Sequence, residues 1–305
     1  MRVLVTGATG FVGAAVVRAL RDGGHDVAAL VRDPARAGAA AAIGARLHRG
    51  DMLDPSSYAP LVADVDAVVH AAQLAVPGRL TATRSRRVFA ADALMTSALA
   101  DACLRHGRRL VYTGGCFDWG DHGERWVDET TPLTPSPMGV GHARQAAVLD
   151  RRHREEGLDV VRLSPGFVHG PGGLFATAFV DQARAGRLRC IGSGRNWWSC
   201  VHVDDLAAAY LAALEEAAPG SSYAVVDDEP LRLRELTDLT TDALGVRRVG
   251  TAPPALVGLF LGRTLVSSLT TSFRISGARI RSELGWAPAR PRFRDAVAGT
   301  VAALA

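Results

Sequence analysis

The sequence predicts an α/β protein in which a doubly wound parallel sheet is followed by a smaller C-terminal lobe. Short apolar runs alternate with helical segments through the first half of the chain, which is typical of parallel sheets with right-handed crossovers. A glycine-rich turn, Gly7-x-x-Gly10-x-x-Gly13, separates the first apolar run from the first helical segment. We therefore expect residues 1–163 to form one domain. Residues 164–305 should build mainly a second lobe, with some segments returning to the first domain.

The apolar runs and helical patterns place the expected elements in order. Six strands are expected in the first domain, at 2–6, 26–31, 46–49, 66–70, 109–113 and 159–163. Helices are expected between them at 11–23, 34–43, 56–63, 85–106 and 138–156. The hydrophobic pattern of the second lobe is less regular. Helices are expected near 204–217 and 233–244, and a strand near 222–226.

Composition restricts the classes of protein that this chain can belong to. It has 305 residues, 48% of them hydrophobic and 22% charged, enough for a normal core. The net charge is +4, but the arginines are scattered among acids, so no nucleic-acid partner is expected. The four cysteines have neither metal-ligand nor secreted-disulfide spacing. No leader or membrane span is expected either, so we predict a cytoplasmic protein with no metal site and no membrane partner.

The glycine turn has the chemistry of a phosphate-binding site. Gly7 and Gly10 let the backbone turn tightly and approach a pyrophosphate, and Gly13 lets the helix pack close to the strand. The helix N-terminus offers free N–H groups and the positive end of its dipole. We predict a Rossmann dinucleotide site rather than an ordinary βα turn. The predicted cofactor-binding residues here are Gly7, Thr9, Gly10, Phe11, Val12 and Gly13.

The end of the second strand indicates which dinucleotide binds. NAD-binding domains place an acid there for the ribose 2′-hydroxyl, but Val31 is followed by Arg32. A guanidinium suits a 2′-phosphate, and Arg36 is close enough in sequence to assist. The sequence therefore favours NADP over NAD. The alternative is that Arg32 is a solvated loop residue and Asp33 caps the next helix.

The third and fourth strands end in further candidate cofactor contacts. Asp51 can accept from the adenine amino group while Met52 packs on the ring, although Asp51 also suits a turn. Ala71 and Ala72 are small residues that let the backbone pass close to a cofactor. His70 before them is as suitable for a structural role as for a functional one.

These motifs resemble the extended short-chain dehydrogenases/reductases, the NAD-dependent epimerase/dehydratase family. Thr6 to Gly13 is similar to the family's TGxxGxxG motif. The later stretches that agree are Gly50-Asp51-Met52-x-Asp54, His70-Ala71-Ala72, residues 162–172, residues 201–207 and Glu283-Leu284-Gly285-Trp286-x-Pro288. The resemblance covers nearly the whole chain. It implies cofactor contacts at Pro165 and Val168, and a homodimer built from the helices near 85–106 and 138–156.

The family's catalytic motif is missing from this chain. The family uses a Ser/Thr and then Tyr-x-x-x-Lys, in which the tyrosine is the acid/base and the lysine lowers its pKa. By the motif's spacing, Gly115 stands at the Ser position, Met138 at the Tyr position and His142 at the Lys position. The chain contains no lysine, and none of its four tyrosines is on this helix. The resemblance therefore extends to the cofactor site but not to the acid/base chemistry.

Four residues remain as candidate catalytic groups. His142 can bind a ribose hydroxyl or act as a weak base, and His169 stands where the family has the tyrosine of its VYGP loop. Thr113 and Cys116 flank the missing serine. The structural alternatives are a solvent-facing helix residue for His142, a loop filler for His169 and a packed small side chain for Cys116. Asp118 and Tyr112 are weaker candidates.

Candidate substrate contacts are apolar. Met138 should face the substrate, and Trp197 and Trp198 can wall an apolar or aromatic molecule, with lobe packing as the alternative. The stretch Leu256 to Leu269 can cover an apolar substrate or a dimer partner, with core packing as the default.

Three functions fit these observations. The first is an NADP(H)-dependent reductase or dehydrogenase of a small, rather apolar metabolite with a non-standard acid/base site. The others are a non-redox enzyme on the same fold, such as a dehydratase, isomerase or cyclase, and an NADP(H)-sensing binding protein. The intact cofactor motifs favour the first.

Overall fold

A seven-stranded parallel sheet forms the centre of the computed structural model, which describes residues 1–74, 79 and 81–305. Its strands are β1 (Arg2–Thr6), β2 (Asp26–Val31), β3 (Arg46–Arg49), β4 (Ala67–His70), β5 (Arg109–Thr113), β6 (Val160–Pro165) and β7 (Ser222–Val225). The strand order is β7-β6-β5-β4-β1-β2-β3. The order reverses between β1 and β4, and ligands bind at such a switch point, outside the carboxyl ends of the strands. The predicted fold class is confirmed.

Helices cover both faces of the sheet. Those that flank it are α1 (Phe11–Asp22), α2 (Gly38–Ala42), α3 (Ala82–His106), α4 (Val140–Glu156) and α5 (Val203–Glu216). Helices α1 and α5 pack together over one apolar core, and α3 and α4 pack together over the other face. The 25-residue α3 begins where the Thr81 side chain accepts from the Arg84 N–H, and it ends at Gly107, which has a φ of 61°. Both ends follow ordinary capping chemistry.

Two of the predicted helices were wrong. The segment predicted as 34–43 is a 3-10 turn, Pro34–Arg36, followed by the five-residue α2. The segment predicted as 56–63 consists of two 3-10 turns, Pro55–Ser57 and Ala59–Asp64. In both, the side chain of an aspartate immediately before a proline caps a single 3-10 turn.

The second lobe contains five uninterrupted helices, one broken helix and several short strand pairs. The helices are α6 (Leu233–Ala243), α7 (Pro254–Leu261), α8 (Arg263–Leu269), α9 (Ala278–Leu284) and α10 (Phe293–Ala302). A helix broken by a π turn at Ala176–Val180 runs from 173 to 184. The strand pairs are Trp126–Val127 with Arg274–Ile275, Phe167–His169 with Cys200–His202, Cys190–Ile191 with Thr251–Ala252, and Trp197–Trp198 with Leu231–Arg232.

The two lobes share chain segments. Strand β7 and helix α5 come from the second half of the sequence but belong to the central sheet and its α1 face. A separate aromatic core fills the second lobe around Trp198, Phe273 and Phe293. Within the described residues, none of the helices combines the length and the hydropathy that a membrane crossing requires.

Candidate functional site

A cleft of about 510 Å³ lies at the carboxyl ends of β1, β2 and β4. Its position is the switch point of the sheet. The predicted cofactor residues that line it are Gly7, Thr9, Gly10, Phe11, Val12, Gly13, Arg32, Asp51, Met52, Ala71 and Ala72. The other three, Arg36, Pro165 and Val168, are not among the residues that line this cleft.

The glycine turn is shaped by close backbone contacts. Gly7 has a φ of +70°, and a Cβ at this position would lie 2.7 Å from the carbonyl oxygen of Ala71. A Cβ at Gly13 would lie 2.1 Å from the carbonyl oxygen of Gly7. Gly10 is the N-cap of α1, which has no side-chain cap and no acid in its first turn. The first N–H groups of α1 therefore remain available, and the cradle fits the pyrophosphate of a dinucleotide.

The far end of the cleft is positively charged. Arg32 follows β2 at the cleft wall and is exposed. No ion pair or hydrogen bond of its guanidinium appears among the described residues. The neighbouring Asp33 accepts from the Ala35 N–H at 3.1 Å and caps a turn. Asp51 lines the cleft while its carboxylate accepts from the Leu53 N–H at 2.8 Å, so it serves as a turn residue as well.

A hydrogen-bonded network begins at the edge of this cleft. Gln73 lines the cleft, and its amide nitrogen lies 3.3 Å from Nε2 of His142. The other ring nitrogen, Nδ1, lies 3.0 Å from the Tyr112 hydroxyl. That hydroxyl lies 3.3 Å from a carboxylate oxygen of Asp92. The predicted catalytic residue His142 is therefore part of a chain of polar groups that connects the cleft to the α3 side of the sheet.

Burial sets the protonation of this network. It lowers the pKa of His142, and the charge of Asp92 opposes that shift. Burial raises the pKa of Asp92, and it raises the pKa of Tyr112 well above its ordinary value. His70, next to the network, has its pKa lowered to about 3, chiefly by burial. The two histidines are thus neutral at neutral pH, and Tyr112 keeps its proton.

Thr113 lies at the end of β5 and supports the strand tips. Its hydroxyl donates to the carbonyl of His70 at 2.7 Å and also hydrogen-bonds to the hydroxyl of Tyr210. Thr6 contacts the His70 ring from the neighbouring strand at 2.8 Å. These bonds tie β1, β4, β5 and α5 together, which is a structural use of Thr113.

His169 lies in an aromatic cage rather than at the cleft. It is fully buried, and its ring packs against Phe175, His202 and Phe293 at centroid distances of 6.1, 5.2 and 4.8 Å. Among the described residues, neither ring nitrogen has a hydrogen-bond partner. Burial lowers the pKa of His169 to about 3. This placement favours the loop-filling alternative over the proton donor.

Cys116 and the paired tryptophans also lie apart from the cleft. Cys116 is buried, and burial raises the pKa of its thiol, so it has the character of a packed apolar group. Trp198 is in the core of the second lobe, where it stacks on Phe273 at 5.6 Å. Trp197 lies under the guanidinium of Arg232 at 3.9 Å. Trp198 therefore packs in the core of the lobe, whereas Trp197 is partly exposed at its surface.

Comparison with known proteins identifies the family. The model of the NAD dependent epimerase/dehydratase family matches residues 3–226. The chain belongs to this family. It is 35% identical to a 3-diazoavenalumate denitrifying reductase from Streptomyces sp, over 97% of this chain and 98% of that protein. It is 32% identical to a 2-alkyl-3-oxoalkanoate reductase from Stenotrophomonas maltophilia, over 83% of this chain and 78% of that protein.

The solved structures that resemble the chain include family dehydratases with a bound dinucleotide. One is the dTDP-glucose 4,6-dehydratase of Streptomyces venezuelae with NAD and TYD bound, with a TM-score of 0.81 and 26% identity, covering 99% of this chain and 96% of that one. Members of the family among these relatives are reductases and dehydratases. The chain is accordingly an oxidoreductase of an NAD(P)-dependent family, and these relatives act on small molecules.

Two of the positions that the sequence analysis matched to the family's catalytic motif, Gly115 and Met138, lie in different backbone surroundings. Gly115, at the serine position, is extended with a φ of −166°, and a Cβ there would meet nothing within 4 Å. Met138, at the tyrosine position, is fixed through its N–H, which donates to Oγ of Ser268 at 3.0 Å. Ser268 belongs to α8, so the apolar α7–α8 segment lies against this loop. Leu259 and Phe260 of α7 are exposed, which differs from the default of core packing.

The sequence analysis missed two members of the network, Asp92 and Gln73, and ranked Tyr112 too low. Asp92 carried a usable signal. It is a single acid within the small and apolar run Phe89-Ala-Ala-Asp-Ala-Leu-Met95, where a solvent-facing residue was not expected. A charged residue on the apolar face of a helix requires a partner. Gln73 carried no such signal, because only the fold brings the end of β4 beside α4.

Proposed function

We propose that the protein is an NADP(H)-dependent reductase of a small, rather apolar metabolite, with an acid/base site rebuilt around His142. The observation that carries the proposal is the position of this ring. It stands at the lysine position of the family motif, and its Nε2 reaches Gln73 at the wall of the dinucleotide cleft. It is the titratable group of the network nearest to the cleft.

The proposed cofactor preference rests on Arg32. The glycine turn and the first turn of α1 hold the pyrophosphate, and the guanidinium of Arg32 binds the 2′-phosphate without first giving up another partner. When bound, the nicotinamide supplies a hydride. The residues of the chain orient the acceptor and provide the accompanying proton. The solved relative described above has NAD bound. The proposed preference for NADP therefore rests on Arg32 of this chain and not on that relative.

The missing tyrosine restricts the acceptor. Met138 has no proton to give, and the lowered pKa of His142 leaves only a small protonated fraction at neutral pH. Such a site suits an acceptor that is already strongly polarised, such as a conjugated C=C bond or an imine, better than a simple ketone. The similarity to a reductase that acts on a diazo compound supports an activated electrophile. An arenediazonium ion therefore belongs in the screen, since a hydride replaces N₂ in it without a proton.

Nucleotide titration tests the proposal. We expect NADPH to bind more tightly than NADH to the wild-type protein. Arg32→Ala should weaken NADPH binding by about 10- to 100-fold and leave NADH binding unchanged, because one charged hydrogen-bonding group contributes about 1.5–3 kcal/mol. Arg36→Ala is the matched control, since Arg36 is exposed and is not among the residues lining the cleft. Binding of no nucleotide, or equal affinity for NADPH and NADH, would contradict the cofactor assignment.

The second candidate function is that of a dehydratase, because some of the relatives are dehydratases. The chain is 31% identical to a dTDP-glucose 4,6-dehydratase from Streptomyces antibioticus, over 81% of this chain and 78% of that protein. Such a reaction regenerates its cofactor, so product would form without net consumption of NADPH. The two functions are separated by following NADPH absorbance and product together with each acceptor.

We also infer a cytoplasmic homodimer that pairs through α3 and α4. The resemblance to the family supports the pairing of these helices. All four cysteines are free thiols, which suits a reducing compartment. Light scattering on the purified protein tests the dimer, and a mass of a single chain would contradict it.

A further inference from the structure

Three side chains from three elements meet between the sheet and the helices of the α3–α4 face. Asp92 comes from α3, Tyr112 from β5 and His142 from α4. Asp92 and Tyr112 are buried, and the ring of His142 is partly exposed toward Gln73. The distances of 3.3 and 3.0 Å along this chain join an acceptor, a hydroxyl and an imidazole in series.

The direction of the hydrogen bonds fixes the tautomer of His142. The Gln73 amide nitrogen can only donate, so Nε2 must accept from it. The single ring proton of the neutral imidazole is then on Nδ1, which donates to the Tyr112 oxygen. The Tyr112 hydroxyl in turn donates to Asp92, which accepts. Each group in the series then has a donor matched to an acceptor on its neighbour.

We propose that Asp92 and Tyr112 are positioning residues that hold His142 as a proton donor to the reduced substrate. They fix the ring so that Nε2 faces the cleft, and the carboxylate stabilises the imidazolium through the tyrosine hydroxyl. This assignment rests on the proposed reductase function. It gives this chain a hydrogen-bonded replacement for the tyrosine and lysine that it lacks.

The proton balance of the step is simple. NADPH held by the glycine turn and Arg32 would supply a hydride to the electrophilic carbon of a C=C or C=N bond, and the π electron pair would move to the other atom of that bond. That atom takes the proton from Nε2 of the imidazolium form of His142, which leaves the neutral ring with its remaining proton on Nδ1. The neutral ring then accepts a proton from solvent. One hydride and one proton are added in total, and NADP⁺ is the oxidised product.

Other charged groups face this network and must be considered with it. The ring of His70, on β4, lies next to the network and is kept neutral by burial. Asp118 and Arg162 act on Tyr112 from the β5–β6 side, with opposite effects on its pKa. Asp92 is the group whose charge raises the pKa of His142. Removing that charge should therefore lower the pKa of His142 further.

Nitrogen NMR of the histidine rings tests the positioning role without a substrate. The signals of His142 are assigned by their loss in His142→Gln. In the wild type we expect Nδ1 to be protonated. Tyr112→Phe should move the proton to Nε2 in a substantial fraction of molecules, and Asp92→Asn should lower the pKa of His142. Tyr210→Phe is the control, because this buried hydroxyl binds Thr113 and not His142.

Turnover completes the test once the screen has provided an acceptor. Asp92→Asn and Tyr112→Phe should lower kcat by about 10- to 100-fold, shift the limb of the pH profile that reports His142, and leave NADPH affinity unchanged. Asp92→Asn keeps the shape of the carboxyl group, so it serves if Tyr112→Phe fails to fold. An unchanged tautomer, ring pKa and pH profile in both variants would overturn the positioning role. Failure of the wild type to bind or oxidise NADPH would instead overturn the proposed function.

Discussion

Replacing Gly13 by alanine tests the close approach of α1 to the strand that precedes it. The added Cβ would lie 2.1 Å from the carbonyl oxygen and 2.6 Å from the carbonyl carbon of Gly7. Ordinary contacts begin near 3.4 Å, so the two backbone segments must separate by about 1.3 Å (3.4 − 2.1). Neither atom can rotate away, because both belong to the backbone. We expect a cost of about 3 kcal/mol from this overpacking, reduced by somewhat less than 1 kcal/mol from the better helix propensity of alanine.

Gly299→Ala is the matched control. Gly299 is an exposed position inside α10, and a Cβ there would meet nothing within 4 Å. This variant should gain about 0.5–1 kcal/mol. Urea unfolding at 25 °C measures both free energies, and thermal unfolding should show Gly13→Ala lowering Tm by about 2 °C per kcal/mol. A Gly13→Ala protein within about 0.5 kcal/mol of the wild type would refute the reasoning.

Three further predictions concern buried side chains. Burial raises the pKa of Asp118 to about 8, so the folded state holds a proton that the unfolded state has lost above its ordinary pKa. Stability from this site therefore falls as pH rises from about 4 to 8, and Asp118→Asn should be more stable than the wild type at pH 8 but not at pH 4, as measured by urea unfolding. The pKa of His169, lowered to about 3, acts in the opposite direction. The stability that comes from His169 is complete above pH 6.5 and is lost as pH falls from there toward 3. His169→Leu should therefore flatten the decline in unfolding free energy at acid pH. A decline as steep as that of the wild type would count against this account. Finally, Trp198→Ala should cost about 3–5 kcal/mol because it empties the aromatic core, whereas Trp197→Ala should cost about 1 kcal/mol or less because it loses a surface cation–π contact. Similar losses in the two variants would show that the placement of the pair is wrong.

The residues predicted for the cofactor site each lie close in sequence to a strand end, and most of them line one cleft in the structure. The glycine turn, the start of α1 and the strand tips with Arg32, Asp51 and Ala71 each lie within a few residues of a strand end. In a parallel sheet, such ends meet at one edge. Identifying the parallel strands was therefore enough to predict that these residues lie close together.

The polar network was predicted less completely because its residues are far apart in sequence. His142 and Asp92 are on different helices, and Tyr112 is on a strand between them, where alternation alone does not tell which face it occupies. His169 and Trp198 show the converse. Their types suggested chemistry, but the structure buries both in aromatic clusters. A residue type indicates what a side chain can do, whereas its packing decides whether it reaches a substrate.

The sequence by itself determined the parallel sheet and the glycine turn at its edge, since these depend on a short motif and on hydrophobic periodicity. Only the tertiary structure decided which polar groups meet beside the cleft. The network of Gln73, His142, Tyr112 and Asp92 exists because β4, α4, β5 and α3 pack against one another. Hydrogen bonds between such elements depend on distances of about 3 Å that no local pattern encodes.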